Sequence, residues 1–348
     1  MAGSKYGENV LIIAGPTGGG KSALAIQLAT LLGGEIINAD SVQVYRGAEI
    51  GSAKVSAEER ERVTHHLLDI CEPNEEFNTA HYQERVDIVI SELISRGRLP
   101  IVAGGSTLYL THLLHGIAEL PDSDPELRHK LSQLSTEELF SELTEVDPDA
   151  SVTLHRNDRV RIMRALESSI SAGAPASLLL QTMQYGKPLR PAIIVVIVWP
   201  RGELYGRIER RTAAMMDAGL LSESKTLLEK FGPDIKIFRS LGYKQCLDYL
   251  QGRVPLNDVC SEIAKHTRRY AKRQLTFWRN EPAKRGWSVF PTKEQSHLVV
   301  DAGGAEGPGS SIAAFEYDKP ELEEALKKRL SERLTGVEVW FVTPKVLE

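Results

Sequence analysis

Cysteine is scarce in this chain of 348 residues: Cys71, Cys246 and Cys260 stand far apart and form no C-x-x-C pair. A disulfide framework and a structural zinc site of the usual spacing are therefore excluded, and each cysteine is expected to serve as buried apolar filler. No apolar run approaches the roughly 20 residues of a membrane-spanning helix, and MAGSKYGENV at the amino terminus lacks a charged-then-apolar leader. A reducing, cytoplasmic setting without membrane attachment is the expectation. Aromatic residues make up only 6%, and 42 basic against 47 acidic side chains leave a net charge of −5. A protein that binds polyanions through its overall charge does not read this way.

What is present is the profile of a globular protein, with 42% hydrophobic and 26% charged residues, long enough for a main domain and a smaller one. Over the first hundred residues short apolar runs alternate with amphipathic stretches, which predicts parallel strands joined by crossover helices. Strands are expected at Val10 to Ala14, Glu35 to Ala39, Leu99 to Ala103 and Ala192 to Trp199, with helices at Lys21 to Leu32 and Thr79 to Arg96. From about Gly116 to Arg190 the pattern turns helical with polar joints, and the segment reads as a helical insertion. Further helices are expected from Pro200 to Phe231 and from Glu262 to Asn280. Beyond Trp287 come a Gly-rich stretch, GGAEGPGSS, a helix opened by Asp318-Lys319-Pro320 with leucines at 322, 326, 330 and 334, and a strand-like VEVWFV. The expected division is a catalytic core of residues 1–115 and 191–287, the insertion at 116–190, and an unassigned extension at 288–348. Removing that extension is expected to leave the chemical step in place.

Gly15-Pro16-Thr17-Gly18-Gly19-Gly20-Lys21-Ser22 fits the phosphate-loop pattern G-x-x-x-x-G-K-[ST], directly after an apolar strand and at the start of a helix. The glycines let successive backbone N–H groups face phosphate oxygens, the helix terminus adds partial positive charge, Lys21 adds a full one, and the Ser22 hydroxyl suits Mg²⁺. The fold class that follows is α/β, a P-loop NTPase-like parallel sheet with flanking helices plus the helical insertion. At the end of the second strand, Asp40, Ser41 and Gln43 leave together, where open α/β sheets place their ligands. Asp40 reads equally well as a metal ligand or a general base. Gln43 offers the donor and acceptor pair that suits an adenine edge.

Taken together, GPTGGGKS (15–22), DSVQVYRG (40–47), IGSAK (50–54), HHLLDI (65–70), GGSTLYL (104–110), PDSDPELR (121–128), NDRVRIMRALE (157–167), RSLGYKQ (239–245) and TRRYAKRQLTFWR (267–279) resemble the tRNA dimethylallyltransferases, also called tRNA isopentenyltransferases. The resemblance runs in order over roughly residues 9 to 287. It implies transfer of the five-carbon group of dimethylallyl diphosphate to N6 of adenosine 37 of tRNA, with Mg²⁺, by a monomeric enzyme. It tips Asp40 toward general base, assigns Thr17 and Ser22 to the diphosphate and its metal, adds Ser106 from the third strand's loop, and makes Arg207 in LYGRIERR the arginine that neutralises the leaving group. Asp40, Ser41, Val42, Gln43 and Ser106 would meet the flipped adenosine, and Arg128, Arg161, Arg164, Arg239, Gly242 and Tyr243 fall in segments that touch tRNA in the family.

Two departures stand out. Ser106 replaces the family's usual threonine but keeps the hydroxyl, and Thr64 stands where a proline often precedes the paired histidines. His65 and His66 are read as loop and core residues. No cysteine follows Cys260 to build the zinc finger of many eukaryotic relatives, so a bacterial type is expected.

The alternatives are a small-molecule P-loop kinase, an isopentenyltransferase acting on free AMP or ADP, and a non-catalytic RNA-binding protein with a remnant phosphate loop. The insertion disfavours the first two, and intact Lys21, Ser22 and Asp40 disfavour the third. The net charge also conceals two basic stretches. Residues 261–285 hold eight Lys or Arg against two Glu, and residues 155–164 hold four Arg against one Asp. Both overlap segments the family uses for tRNA, where such residues would neutralise phosphates.

Overall fold

The structure is a computed structural model that describes residues 7–117, 120–121, 124–181, 188–290, 298–301, 311–317, 319–332, 334 and 337–344. Asp122 and Ser123 of PDSDPELR, residues 182–187 of the insertion's end, and all but the last residue of GGAEGPGSS lie outside the described residues.

The chain divides into two compact units, one formed by Met1–Leu114 with Pro188–Glu348 and the other by His115–Lys187. In the larger unit the order is β1 (Val10–Ala14), α1 (Lys21–Leu32), β2 (Gly34–Asn38), α2 (Ala57–Arg62), β3 (His65–His66), α3 (Thr79–Ser95), β4 (Leu99–Ala103) and α4 (Thr107–His115). The smaller unit holds α5 (Pro125–Ser132), α6 (Thr136–Val146), α7 (Pro148–Thr153), α8 (Arg159–Ala172) and α9 (Ala176–Gln181). The chain then returns through β5 (Ala192–Ile197), α10 (Arg201–Asp217), α11 (Leu220–Phe231), α12 (Tyr243–Leu250) and α13 (Leu256–Arg285). It ends with β6 (Ser288–Phe290), β7 (Leu298–Asp301), β8 (Ser311–Tyr317), α14 (Lys319–Leu330) and β9 (Val337–Pro344).

One sheet runs in the order β3-β2-β4-β1-β5-β9-β8-β7, with β6 also paired to β9. Every pairing is parallel except β7 with β8. β1, β2 and β5 are buried at every position, as expected where helices cover both faces of a sheet; β1 and β5 therefore read as continuous apolar runs, while β2 carries the buried Glu35 and Asn38. The turns after β1, β2, β4 and β5 leave one edge of the sheet together. Strand ends are tied there directly, the Ala39 amide to the Ala103 carbonyl at 2.9 Å and the Gly104 amide to the Ile13 carbonyl at 3.2 Å. No Cβ fits at Gly104, because it would lie 2.2 Å from the Ala39 carbonyl oxygen.

The extension after Trp287 is part of this sheet and not an appendage to it. β9 pairs with β5 from Ala192↔Val337 to Ile197↔Val342, and Leu322, Leu326, Leu330 and Leu334 are buried in the same core as β1. The leucine stripe was legible as packing, but an isolated sequence does not show which edge it covers. The helical unit has its own core of Leu131, Leu139, Leu143, Ala150, Ile162 and Leu166. Asp147 fastens it: the buried carboxylate accepts from the amides of Ala150 (3.0 Å) and Ser177 (2.8 Å) and from the Ser177 hydroxyl (2.6 Å). Among the described residues no helix is long and apolar enough to cross a membrane.

Candidate active site at the phosphate loop

The loop from Gly15 to Gly20 turns between β1 and α1 through left-handed conformations that glycine adopts readily: φ is +130° at Gly15, +77° at Gly18 and +92° at Gly20. At Gly15 the neighbouring strand adds a second constraint, since a Cβ would lie 2.6 Å from the Ile197 carbonyl oxygen. The loop is braced from β5 and α10. Trp199 donates its indole N–H to the Gly19 carbonyl at 2.9 Å, Arg207 donates Nε–H to the Gly18 carbonyl at 3.0 Å, and the guanidinium lies 4.5 Å above the Trp199 ring. Arg211, one helical turn beyond Arg207, donates to the Thr17 hydroxyl at 3.2 Å. Lys21 donates Nζ–H to the Pro16 carbonyl at 2.9 Å. Burial, reinforced by Arg211 and opposed by Asp40, lowers the Lys21 ammonium to about 8.

Two adjoining cavities share Thr17, Gly18, Asp40, Ser52, Arg211 and Tyr270 in their walls. One, of about 350 Å³, is lined by the phosphate loop through Lys21 and Ser22 and by Gln43, Gly104, Gly105, Arg207 and Gln274. The other, of about 360 Å³, adds Ser41 and Val42, the apolar Ile208, Met215 and Ile263, the basic Arg239 and Arg273, and Gly242. Asp40 thus stands in the walls of both the phosphate-loop cavity and the more apolar one. Its Oδ1 accepts the Val42 amide at 2.9 Å, a local turn bond, and its own amide donates to the Asn38 Oδ1 at 3.0 Å. Burial pushes the Tyr270 phenol up to about 12, with the Asp40 charge adding to the effect, so Tyr270 is a neutral donor at any ordinary pH.

Several expected residues sit differently from their sequence reading. Gln43 commits its amide nitrogen to the carbonyls of Ser52 (3.1 Å) and Ala53 (3.3 Å), so the bidentate donor and acceptor pair is not free in this structure. Ser106 heads α4, where its Oγ accepts the Tyr109 amide at 3.4 Å, while Gly104 and Gly105 form the adjacent cavity wall. Tyr243 is 0% exposed and donates to Glu223, so its side chain has no surface to offer a nucleic acid. Gly242 (φ +86°) and exposed Arg239 do line the apolar chamber.

In the helical unit, Arg164 bonds to Glu167 at 3.2 Å and to the Pro121 carbonyl at 3.1 Å, and Arg128 reaches the same Glu167 at 3.9 Å. Arg161 has a side chain 75% exposed, paired with Asp158 at 3.5 Å. His65 and His66 form β3, and His66 meets the buried Glu35 at 2.8 Å, away from the cradle. Burial would raise the Glu35 carboxyl, but hydrogen bonds from His66 and Arg96 outweigh it and hold the carboxyl below its usual range.

Sequence reasoning missed Trp199, Arg211, Tyr270 and Gln274. A signal existed for three of them: Arg211 follows Arg207 by four residues, and Gln274 follows Tyr270 by four, the spacing that puts two side chains on one helix face.

A glycine-turned anion cradle with three cations around it, a carboxylate at its rim and an apolar chamber behind defines a P-loop group-transfer site. Comparison with known proteins narrows that class. The family model described as IPP transferase matches residues 43–281. The tRNA dimethylallyltransferase 1 of Trichlorobacter lovleyi is 45% identical over 287 residues, 81% of this chain and 94% of that protein. The tRNA dimethylallyltransferase of Myxococcus xanthus is 44% identical, over 78% of this chain and 89% of its own. Among solved structures, the tRNA isopentenylpyrophosphate transferase of Bacillus halodurans is 37% identical with a TM-score of 0.57, covering 78% of this chain and 87% of that one. A eukaryotic dimethylallyltransferase acting on tRNA is 29% identical with a TM-score of 0.68, covering 77% and 69%. The chain belongs to the IPP transferase family.

Proposed function

We propose that the protein moves the dimethylallyl group of dimethylallyl diphosphate to N6 of adenosine 37 in tRNA and releases diphosphate. The observation that carries this reading is the position of Asp40 in the walls of both cavities, between the place for a diphosphate and the place for an apolar group and its acceptor. The names of the relatives support the same chemistry.

In this reading the phosphate loop holds a leaving group, so no residue is needed to aim a water at it. Lys21, Arg207 and Arg211 surround the loop and offset the charge that grows on the diphosphate as its C–O bond breaks. Asp40 accepts the proton that the exocyclic amine loses as the new N–C bond forms. Ile208, Met215 and Ile263 give the prenyl group an apolar wall. Ser41, Val42 and the Gln43 carbonyl oxygen are placed at the adenine, while Ser106 stands one residue behind the cavity wall. Gly15, Pro16, Thr17, Gly18, Gly19 and Gly20 shape the cradle.

Ser22 and Asp40 line one cavity and present hard oxygen donors, a set that fits Mg²⁺. The ion would supply further neutralisation of the diphosphate. Arg239, exposed Arg128 and Arg161, half-buried Arg164, and the basic face of α13 are read as the tRNA contacts, in keeping with the two basic stretches. The enzyme is read as a monomer on the family resemblance alone.

The test is incubation of the purified protein with labelled dimethylallyl diphosphate, Mg²⁺ and unmodified tRNA, with AMP as the competing acceptor. Label in tRNA, lost in Asp40→Ala while tRNA affinity is kept, is the expected result. Label in AMP and none in tRNA overturns the acceptor, and equal loss of affinity and turnover overturns the role of Asp40.

A further inference from the structure

Helix α13 presents two chemistries on two faces. Lys265, Arg269, Lys272 and Arg273 are exposed, whereas Gln274 is 2% exposed and turned into the sheet edge. Its amide meets two loops at once. Oε1 accepts the Thr17 amide N–H of the phosphate loop at 2.9 Å, and Nε2 donates to the Gly105 carbonyl of the turn after β4 at 2.8 Å. The partners fix the orientation of the amide, because a flipped group would set donor against donor and oxygen against oxygen.

The fit leaves no slack. A Cβ at Gly105 would stand 2.6 Å from Gln274 Nε2, so a side chain at 105 would push this amide from its place. Tyr270, one turn earlier, donates its phenol to the same Gly105 carbonyl at 3.2 Å. Thr17 is held twice, by Gln274 at its amide and by Arg211 at its hydroxyl. Ser106, next to Gly105, has its amide on the Ala39 carbonyl at 3.3 Å, and Ala39 precedes Asp40.

We propose that Gln274 is a positioning residue that fixes the spacing between the phosphate loop and the Gly105–Ser106 turn, and so registers the diphosphate against the reacting face of the site. The proposal rests on the prenyl-transfer reading for its kinetic consequence but not for its structural one. Only a neutral primary amide of this length both accepts from Thr17 and donates to Gly105. Gln274→Met keeps the length but leaves the Thr17 amide without its acceptor and the Gly105 carbonyl with only the Tyr270 phenol as side-chain donor. Gln274→Glu replaces the donor with an oxygen facing the Gly105 carbonyl and adds a negative charge beside the cradle. Because the same helix carries the exposed cations, RNA seated on that face is referenced to the diphosphate through one rigid element.

The experiment uses the full-length protein in two arms. In steady state, Gln274→Met is expected to lower kcat about 30-fold, the size of an unpaired buried polar group, with KM for tRNA changed less than about twofold. The loss should be non-additive with Ser106→Ala, so that the double variant is scarcely slower than the slower single one. Additive losses, or a loss confined to KM for tRNA, overturn the proposal. In the second arm, amide hydrogen exchange without substrate should quicken at least tenfold at both 15–19 and 104–107 in Gln274→Met, with α13 still protected. Unchanged exchange at either loop overturns the proposal, and this arm stands even if the wild-type protein transfers nothing to tRNA, a result that counts only against the function. Should Gln274→Met fail to fold, Tyr270→Phe removes the second donor to Gly105. It is then expected to cost a few-fold in kcat and to quicken exchange at 104–107 alone, and no change in either overturns the proposal.

Discussion

The Tyr243 hydroxyl donates to the Glu223 carboxylate at 2.6 Å, and that carboxylate also accepts the backbone amides of Glu49, Ile50 and Gly51 at 2.9 to 3.1 Å. Four donors thus converge on one side chain of α11. Gly51 has no room for a Cβ, which would lie 2.5 Å from the Tyr243 ring. The loop so held supplies the Ser52 and Ala53 carbonyls that grip Gln43, so Tyr243 acts on the site from beneath it.

Glu223→Gln exchanges one acceptor oxygen for a donor that must face backbone N–H groups. Its expected effect is a loss of about 2 kcal/mol in stability and a drop in transfer of tenfold or more. Tyr243→Phe removes one bond of four and should cost about 1 kcal/mol with a smaller kinetic effect. Thermal melts and steady-state rates on the two variants check the order; a Tyr243→Phe variant worse than Glu223→Gln would show that the phenol itself serves catalysis.

Lys21 gives a pH dependence with a definite sign. Its ammonium is lowered to about 8, because burial and Arg211 disfavour the charge more than Asp40 favours it. A bound diphosphate adds negative charge and raises that value. The Lys21 contribution to pyrophosphate affinity, taken as the difference from Lys21→Met so that the ligand's own ionisation cancels, should therefore be complete below pH 7 and fall as pH rises through 8, with proton uptake by Lys21 on binding. Calorimetry at pH 8.5 in two buffers of different ionisation enthalpy measures the net exchange, which should shift toward proton release in Lys21→Met.

Much of this was legible in the amino-acid sequence, for physical reasons. β1, β4 and β5 are buried on both faces and so read as unbroken apolar runs, and the phosphate loop needs glycine where φ is positive. Asp40 could be placed because it follows a strand by two residues. Less legible were side chains that act through distant backbone. Nothing local to Gln274 reveals Thr17, 257 residues away, and nothing local to Glu223 reveals Gly51. The tRNA-contact reading of Tyr243 failed for the same reason: its motif carries a buried anchor beside its exposed neighbours.

Asp147 predicts how the helical unit responds to acid. Burial alone would raise its carboxyl, but the Ser177 hydroxyl and amide and the Ala150 amide together hold it below the usual range. A carboxyl depressed in the folded state stabilises above its unfolded value of about 3.9, and the contribution disappears as pH falls through the folded value. Amide exchange over 147–177 should thus quicken below pH 4 ahead of the sheet. In Asp147→Asn the segment should exchange faster already at pH 7 and lose most of that acid dependence; an acid response as steep as in the wild-type protein would place its origin elsewhere.

Truncation after Trp287 is expected to damage the protein, against the reading of residues 288–348 as separable. β5 is the strand whose carboxyl end supports the phosphate loop, through the Ile197 carbonyl at Gly15 and the Trp199 indole at Gly19. On its other side β9 pairs with it along six residues, and the Val198 amide donates to the Val342 carbonyl at 2.8 Å. Removing β9 turns β5 into an open edge with unpaired backbone groups. It also exposes the core facing Leu322, Leu326, Leu330, Val339 and Phe341, all buried. At about 2 kcal/mol for each such side chain, the loss is comparable to the whole stability of a domain. The truncated chain should aggregate or melt far below the full-length protein, while Leu326→Ala, a deletion of one buried side chain, should lower stability by about 3 kcal/mol and leave pyrophosphate binding measurable at 20 °C. A truncated chain that melts within a few degrees of the intact one and still binds pyrophosphate would mean that β5 holds the loop without β9.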